Sequence, residues 1–268
     1  MLKLFRSKPP LDEDSVNWLF EAFGWTLRHF DQKLFYGRTQ LITPSNEHFP
    51  GRAENPQEMA GLIFTQIRTH ALMTHWPFRM VEQNQCGNTP EISMNPPWRA
   101  TEMTEATSSN PIEVPFDARQ MAEPEALIAS YAHLLAHHLG TQPRQIPPGG
   151  EENWGPATEI LAIYMGFGVM FANSAFTFKR GGCGGCGSQP ERMNSLSQYD
   201  TTYALALFCT LKEIPNRQLL PHLKKSLRPF FKRAMKDIAG RKDQLAKLRA
   251  IEPVIPQAIA PEPLSATS

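Results

Sequence analysis

Two histidines four residues apart give this sequence its clearest chemical signal. His133 and His137 lie in a proline-free window that runs from residue 125 to residue 142. Side chains at positions i and i+4 of an α-helix lie on the same face, one turn apart. Two imidazoles at this spacing are a common helical way to present ring nitrogens to one zinc ion. The spacing therefore predicts a candidate zinc site that needs at least one further protein ligand.

Acidic residues downstream are candidates for that further ligand. Glu151 and Glu152 lie in the segment that follows the histidines, and Glu159 lies near the start of a second apolar stretch. An ionised carboxylate in an apolar helix needs a partner, and zinc would be one. The helix dipole and the free backbone N–H groups of the first turn would be another. Both interpretations of Glu159 stay open at this point.

Proline positions indicate which elements must hold these residues. The chain has 24 prolines among 268 residues, well above the typical share of about 5%. Proline is excluded from helix interiors because it lacks an N–H and its ring clashes with the preceding turn. Pro124 at a first helical position and Gly140 just past the end predict a helix over residues 124–139. A second helix is predicted from about residue 156 to 175.

The rest of the chain predicts further helices and a few short strands. N-caps near Asp12 and at Asn55 each precede a stretch with apolar residues at helical spacing. Further helices are predicted over 198–214 and over 217–248, the latter with breaks at Pro221, Pro229 and Gly240. Short strands are predicted at 38–43, 78–81, 91–94 and 112–116. The predicted fold class is α+β, helix-rich with a small sheet of short strands.

The same pattern predicts one domain over residues 1–250. Its parts are a sheet region at about 77–116, a helical core at about 123–215 and a basic helical segment at 217–249. Residues 251–268 contain four of the prolines and predict a disordered tail.

Composition excludes several classes of protein. Hydrophobic residues make up 41% and charged residues 20%, with a net charge of +1, a soluble globular balance that excludes disorder over the whole chain. Four cysteines in a chain of this length do not make a disulfide framework. No secretory signal is visible, and the longest apolar run, 160–172, is shorter than the roughly 20 residues of a membrane span. We therefore expect a cytoplasmic protein.

The histidine helix and the apolar stretch after it resemble a known family. His133-Leu-Leu-Ala-His137, followed by Glu159 at the head of a second apolar helix, is similar to the gluzincin-type zinc metallopeptidases, which have HExxH and a downstream acidic motif. The resemblance covers residues 124–175. In that family two histidines and a downstream glutamate bind zinc, and the glutamate after the first histidine activates water. The resemblance implies a zincin-like core with zinc ligands at His133, His137 and Glu159.

The sequence departs from that family at the position of the general base. Leu134 stands where the family has glutamate, so water on zinc would have no proton acceptor there. If Glu159 instead takes the family's aspartate position, Gly155 stands at the ligand position and two histidines remain. We expect a degenerate peptidase-like protein, a pseudoenzyme without peptidase activity that acts in binding or regulation.

Two alternatives stay open. A zinc-dependent hydrolase could use a displaced base, for which Glu152 and His138 are the candidates. Alternatively, both histidines are hydrogen-bonded residues of a helical core and the resemblance is accidental.

Two weaker signals lie outside this region. Cys183 and Cys186 form a CxxC in a glycine-rich stretch without a second pair, which favours a loop without metal and leaves a metal or redox role open. Residues 217–249 hold 11 Lys or Arg against two Asp. Such a segment either packs its apolar stripe on the protein or binds an anionic membrane surface or nucleic acid. A protein partner fits a binding role, and no motif indicates a small-molecule cofactor.

Overall fold

Helices dominate the structure, a computed structural model that describes residues 9–82, 99, 111–116, 118–141, 145–180 and 196–254. The CxxC cysteines Cys183 and Cys186, the predicted strand at 91–94 and the tail beyond residue 254 lie outside the described residues. Within them the helices are α1 (Glu13–His29), α2 (Gln32–Gly37), α3 (Pro56–His70), α4 (Pro124–Gly140), α5 (Trp154–Ala162), α6 (Gly168–Arg180), α7 (Gln198–Leu211), α8 (Asn216–Leu219), α9 (Arg228–Gly240) and α10 (Lys242–Arg249).

Helix starts follow the capping residues read from the sequence. The Asp12 carboxylate accepts a hydrogen bond from the Ser15 backbone N–H at 2.8 Å. The Asn55 side-chain oxygen accepts one from the Glu58 N–H at 2.9 Å. Both bonds satisfy a backbone donor that the first helical turn leaves unpaired. The predicted helix starts near Asp12 and at Asn55 are therefore confirmed.

A small parallel sheet accompanies the helices. Strands β1 (Phe78–Glu82) and β2 (Ile112–Phe116) pair in register from Phe78 opposite Ile112 to Glu82 opposite Phe116. Ile112 and Phe116 point into the core together with Val114, because side chains alternate between the two faces of a strand. The prediction of a helix-rich α+β fold with a small sheet of short strands is confirmed.

Helix α4 lies at the centre of the fold, as its sequence predicts. It packs against α3, α5 and α6. Its apolar side chains are buried over most of the helix circumference: Leu127, Ile128, Tyr131, Leu135 and Leu139. The helix predicted over 124–139 is confirmed.

The second predicted core helix is broken in its middle. Helix α5 ends at Ala162, a wide π-helical turn covers Ile163–Phe167, and α6 begins at Gly168. At the break Gly166 has φ of 104°, in the left-handed region that side chains disfavour. A Cβ at this position would lie 2.1 Å from the Gln40 carbonyl oxygen, so glycine is required there.

The predicted strand at 38–43 is wrong, and the helix break supplies the reason. This segment has no regular secondary structure, and Ile42 contacts the break between α5 and α6. The Ile42 N–H donates to the Gly166 carbonyl at 3.0 Å. The backbone N–H groups of Arg38 and Thr39 both donate to the Leu34 carbonyl at the end of α2. The residue pattern alone does not distinguish such partners from a neighbouring strand.

Residues 151–174 are long and apolar enough to cross a membrane by length and composition. Of the most apolar window in this stretch, 94% is buried inside the fold. Such burial is characteristic of a core helix.

Candidate functional site

Helices α4 and α5 bring the predicted metal ligands to neighbouring elements. His133 and His137 lie one turn apart on α4, and both side chains are half-buried. Glu159 lies on α5, which packs against α4, and only 6% of it is exposed. Neither His133 nor Glu159 is without an interaction partner. The structure therefore places the three residues on two packed helices.

The three side chains do not form a ready metal site. Within the part of the chain that the structure describes, no group of three or more His, Cys, Asp or Glu side chains is placed to hold a metal ion. Glu151 and Glu152 are exposed in the short turn that precedes α5. Zinc binding by His133, His137 and Glu159 thus stays a prediction.

The ring of His137 is held by a residue that the sequence did not single out. The indole Nε1 of Trp154 donates a hydrogen bond to His137 Nδ1 at 3.2 Å. The two rings meet edge to face, with their planes at 88°. Since an indole N–H can only donate, Nδ1 must be the acceptor and the neutral ring carries its proton on Nε2. Zinc binding by this ring would therefore require this hydrogen bond to break or the Nε2 proton to move.

Burial keeps two neighbouring histidines on α4 neutral. Desolvation lowers the pKa of His137. The pKa of His138 falls to about 4, because burial is reinforced by the neighbouring His137. The His138 ring lies edge to face with Phe78, at a centroid distance of 6.1 Å. A side chain with a pKa this low is a weak proton acceptor at pH 7, which disfavours His138 as a replacement base.

Leu134 contributes packing at the position where the resembled family has its base. Its side chain is half-buried and packs against the hydrophobic core. The buried thiol of Cys209 is equally inert, because burial raises its pKa far above the ordinary value. Leu134 therefore supplies no base, and Cys209, on α7, supplies no nucleophile.

The basic segment uses its apolar residues inside the protein. Its larger apolar side chains are buried in the common core: Leu219, Leu223, Leu227, Phe230, Phe231 and Ile238. Helix α9 packs on α7. Lysines such as Lys232 and Lys236 remain exposed on the other side of α9. The segment is therefore docked on the protein and presents charge, with little apolar surface left for insertion into a membrane.

A second region with site-like features is not recognisable from the sequence alone. An open groove of about 600 Å³ lies between α1, α10 and the stretch from Gln145 to Pro148. Trp25, Arg28 and His29, in the last turns of α1, form one wall. The groove was invisible in the sequence because its other walls come from segments far along the chain. The local signal is the group of Trp25, Arg28 and His29 at the end of α1.

Comparison of the chain with protein-family models, with curated proteins and with solved structures finds no match.

Proposed function

We propose that this protein acts by binding and does not hydrolyse peptides. In this proposal the α4–α5 pair is a zincin-like scaffold that has lost its catalytic groups. The main support for this proposal is the hydrogen bond from Trp154 to His137, which occupies Nδ1 of one predicted zinc ligand. Leu134 supports the same conclusion, because an alkyl side chain cannot accept a proton from water.

The hydrogen bonding and protonation of His137 make zinc binding costly in this arrangement. Coordination by His137 Nδ1 would break the bond to Trp154, and coordination by Nε2 would require the ring proton to move. Burial of Glu159 adds a second cost, because that carboxylate would have to exchange its present partner for the metal.

The alternative is a zinc-dependent hydrolase with a displaced base. Glu152 is exposed in the turn before α5, and burial lowers the pKa of His138 to about 4, so that His138 is a weak proton acceptor at pH 7. This alternative requires both a metal and a base to be supplied by rearrangement. It therefore ranks below the binding role.

A second candidate function rests on the exposed lysines of residues 217–249. Their apolar partners are buried, so binding would be electrostatic, to phosphates of nucleic acid or of an anionic membrane. Deleting the segment would expose the core, so charge reversal on its surface is the better test.

Metal content and hydrolysis together test the binding role. Protein purified without a histidine tag would be compared with His133→Ala and with Trp154→Phe by elemental analysis. Sub-stoichiometric zinc in the unmodified protein and in His133→Ala supports the proposal. One zinc per chain that is lost in His133→Ala, together with chelator-sensitive cleavage of an unfolded protein that is lost in His137→Ala, would overturn it.

A further inference from the structure

The groove between α1, α10 and residues 145–148 has walls that are held in place. Trp25 Nε1 donates to the Gln145 carbonyl at 3.2 Å, and Trp18 Nε1 donates to the Pro148 carbonyl at 3.0 Å. These two bonds tie the loop to α1. Both indole N–H groups are thereby satisfied, and residues 145 and 148 are held against α1.

The opposite wall is tied to α1 as well. The Val254 N–H donates to the Arg28 carbonyl at 2.8 Å, and Gln32 Nε2 donates to the Ile251 carbonyl at 2.9 Å. Residues 251–254, the start of the predicted tail, therefore lie against α1. Gly24 permits this close approach, since a Cβ there would lie 3.3 Å from Ile251 Cδ1. Both walls are thus preformed, as ligand sites usually are.

The groove has an apolar lining and a cationic rim. Phe20, Trp25 and Leu248 are buried side chains whose edges line the groove. Arg28 and Lys247 lie at its exposed rim, and neither forms an ion pair with another described residue. Against these two cations stands one acidic lining residue, Glu21. The rim therefore favours an anion over a cation.

One buried polar atom in the wall has no partner. Nε2 of His29 is inaccessible to solvent and forms no hydrogen bond with the described residues. Burial lowers the pKa of His29, and the Arg28 cation lowers it further, while the Gln145 side chain acts in the opposite direction. Because solvent does not reach Nε2, a ligand in the groove does not bond to it, and His29 serves as part of the wall.

We propose that this groove binds a small organic carboxylate with an apolar body. The apolar part would pack on Phe20, Trp25 and Leu248, and the carboxylate would lie between Arg28 and Lys247 at the rim. A volume of about 600 Å³ is in the range of small-molecule sites. This site is separate from the α4–α5 histidines, so a test of carboxylate binding does not depend on the role proposed for those histidines.

A matched pair of fluorinated probes tests the proposal. The full chain would be titrated with 4-(trifluoromethyl)benzoate and with 4-(trifluoromethyl)benzamide, followed by ¹⁹F NMR. The two probes have similar apolar bodies and differ in charge. We expect saturable binding of the benzoate and about tenfold weaker binding of the benzamide, a difference of ~1.4 kcal/mol. Equal affinity for both probes, or no saturable binding of the benzoate, would overturn the proposal.

Two variants locate the binding in the groove. Arg28 is exposed, so Arg28→Gln keeps the fold, and we expect it to weaken benzoate binding about fivefold, or ~1 kcal/mol. Arg52→Gln is the control, because Arg52 is an exposed arginine outside the groove and should leave the affinity unchanged. An equal effect of the two variants would show that the carboxylate is attracted by general surface charge, which also overturns the proposal.

Discussion

The indole of Trp154 donates to the imidazole of His137 across the gap between α5 and α4, with 3.2 Å between Nε1 and Nδ1. The donor lies at the first residue of α5 and the acceptor in the last turn of α4. This bond connects the ends of the two helices that the proline-rich loop separates in sequence. It also determines which nitrogen of His137 carries the proton, so its loss should change the pKa of that ring.

Replacing Trp154 with phenylalanine should raise the pKa of His137. The variant removes the donor that favours the neutral ring, while the aromatic packing is largely kept. Loss of this hydrogen bond should also lower the free energy of unfolding by about 1 kcal/mol. An NMR titration of the imidazole ¹⁵N shifts measures the pKa. Trp18→Phe, which breaks the bond to Pro148 instead, is the control and should leave the pKa of His137 unchanged.

The buried ring of His138 should make the protein less stable in mild acid. Its pKa is about 4 in the folded state, against an ordinary value of 6.5, so below pH 6.5 the unfolded chain takes up a proton that the folded chain does not. Stability is therefore lost as the pH falls from about 6.5 towards 4, by up to about 3 kcal/mol from this group. Denaturant unfolding at several pH values measures the slope. His138→Phe should flatten it, and an unchanged slope would contradict the assignment.

Two glycine substitutions should change stability in opposite directions. Gly166→Ala places a Cβ against the Gln40 carbonyl at a left-handed φ, and we expect a loss of about 3 kcal/mol or more. Gly240→Ala, near the end of α9, meets nothing within 4 Å. It should gain about 0.5–1 kcal/mol, because alanine restricts the unfolded chain and favours helix. Thermal unfolding of both variants checks the contrast, and equal effects would contradict the structure.

A polar network around Asp237 should contribute more to stability than the surface ion pair beside it. The Tyr203 hydroxyl donates to Asp237 Oδ2 at 2.7 Å, and Arg241 Nε donates to the same oxygen at 2.7 Å. Asp237→Asn removes the charge that both donors share, and we expect a loss of about 2 kcal/mol. Glu13→Gln weakens the exposed end of the network, where Glu13 also bonds Arg241, and its loss should be smaller. Chemical denaturation of both variants would show the order, and the reverse order would contradict this account.

Charge reversal on α9 should weaken binding to polyanions without unfolding the protein. Lys232→Glu combined with Lys236→Glu changes only exposed side chains, since the apolar face of the helix is buried. Retention on heparin and on double-stranded DNA should fall, with a weaker dependence on salt. Lys33→Glu combined with Arg52→Glu reverses two exposed charges elsewhere and serves as control. If the unmodified protein binds neither polyanion nor anionic vesicles at low salt, the second candidate function is wrong.

Local sequence predicted those elements whose cause is local. The start of α1 at Asp12, the start of α3 at Asn55 and the extent of α4 follow from capping residues and proline exclusion, which act within one helical turn. The breaks in the basic segment likewise fall near Pro221, Pro229 and Gly240.

Features that depend on distant partners were not predicted. The pattern over residues 38–43 predicts a strand, whereas Ile42 bonds Gly166, which lies far along the chain. The role of Trp154 in holding His137 has the same origin, since a tryptophan at a helix start carries no signal of its neighbour. The spacing of His133 and His137 predicted their shared face, but the position of their neighbours required the tertiary structure.

The hydrogen bond between Ile42 and Gly166 has a consequence for how the chain opens. Residues 40–42 are synthesised long before the helix break that they contact, so Ile42 cannot form this hydrogen bond on the ribosome until α5 and α6 are made. In the finished protein, the segment and the break separate only when this hydrogen bond opens. The amide proton of Ile42 should therefore exchange with solvent at the rate of the α5–α6 junction rather than at the rate of an ordinary surface connection.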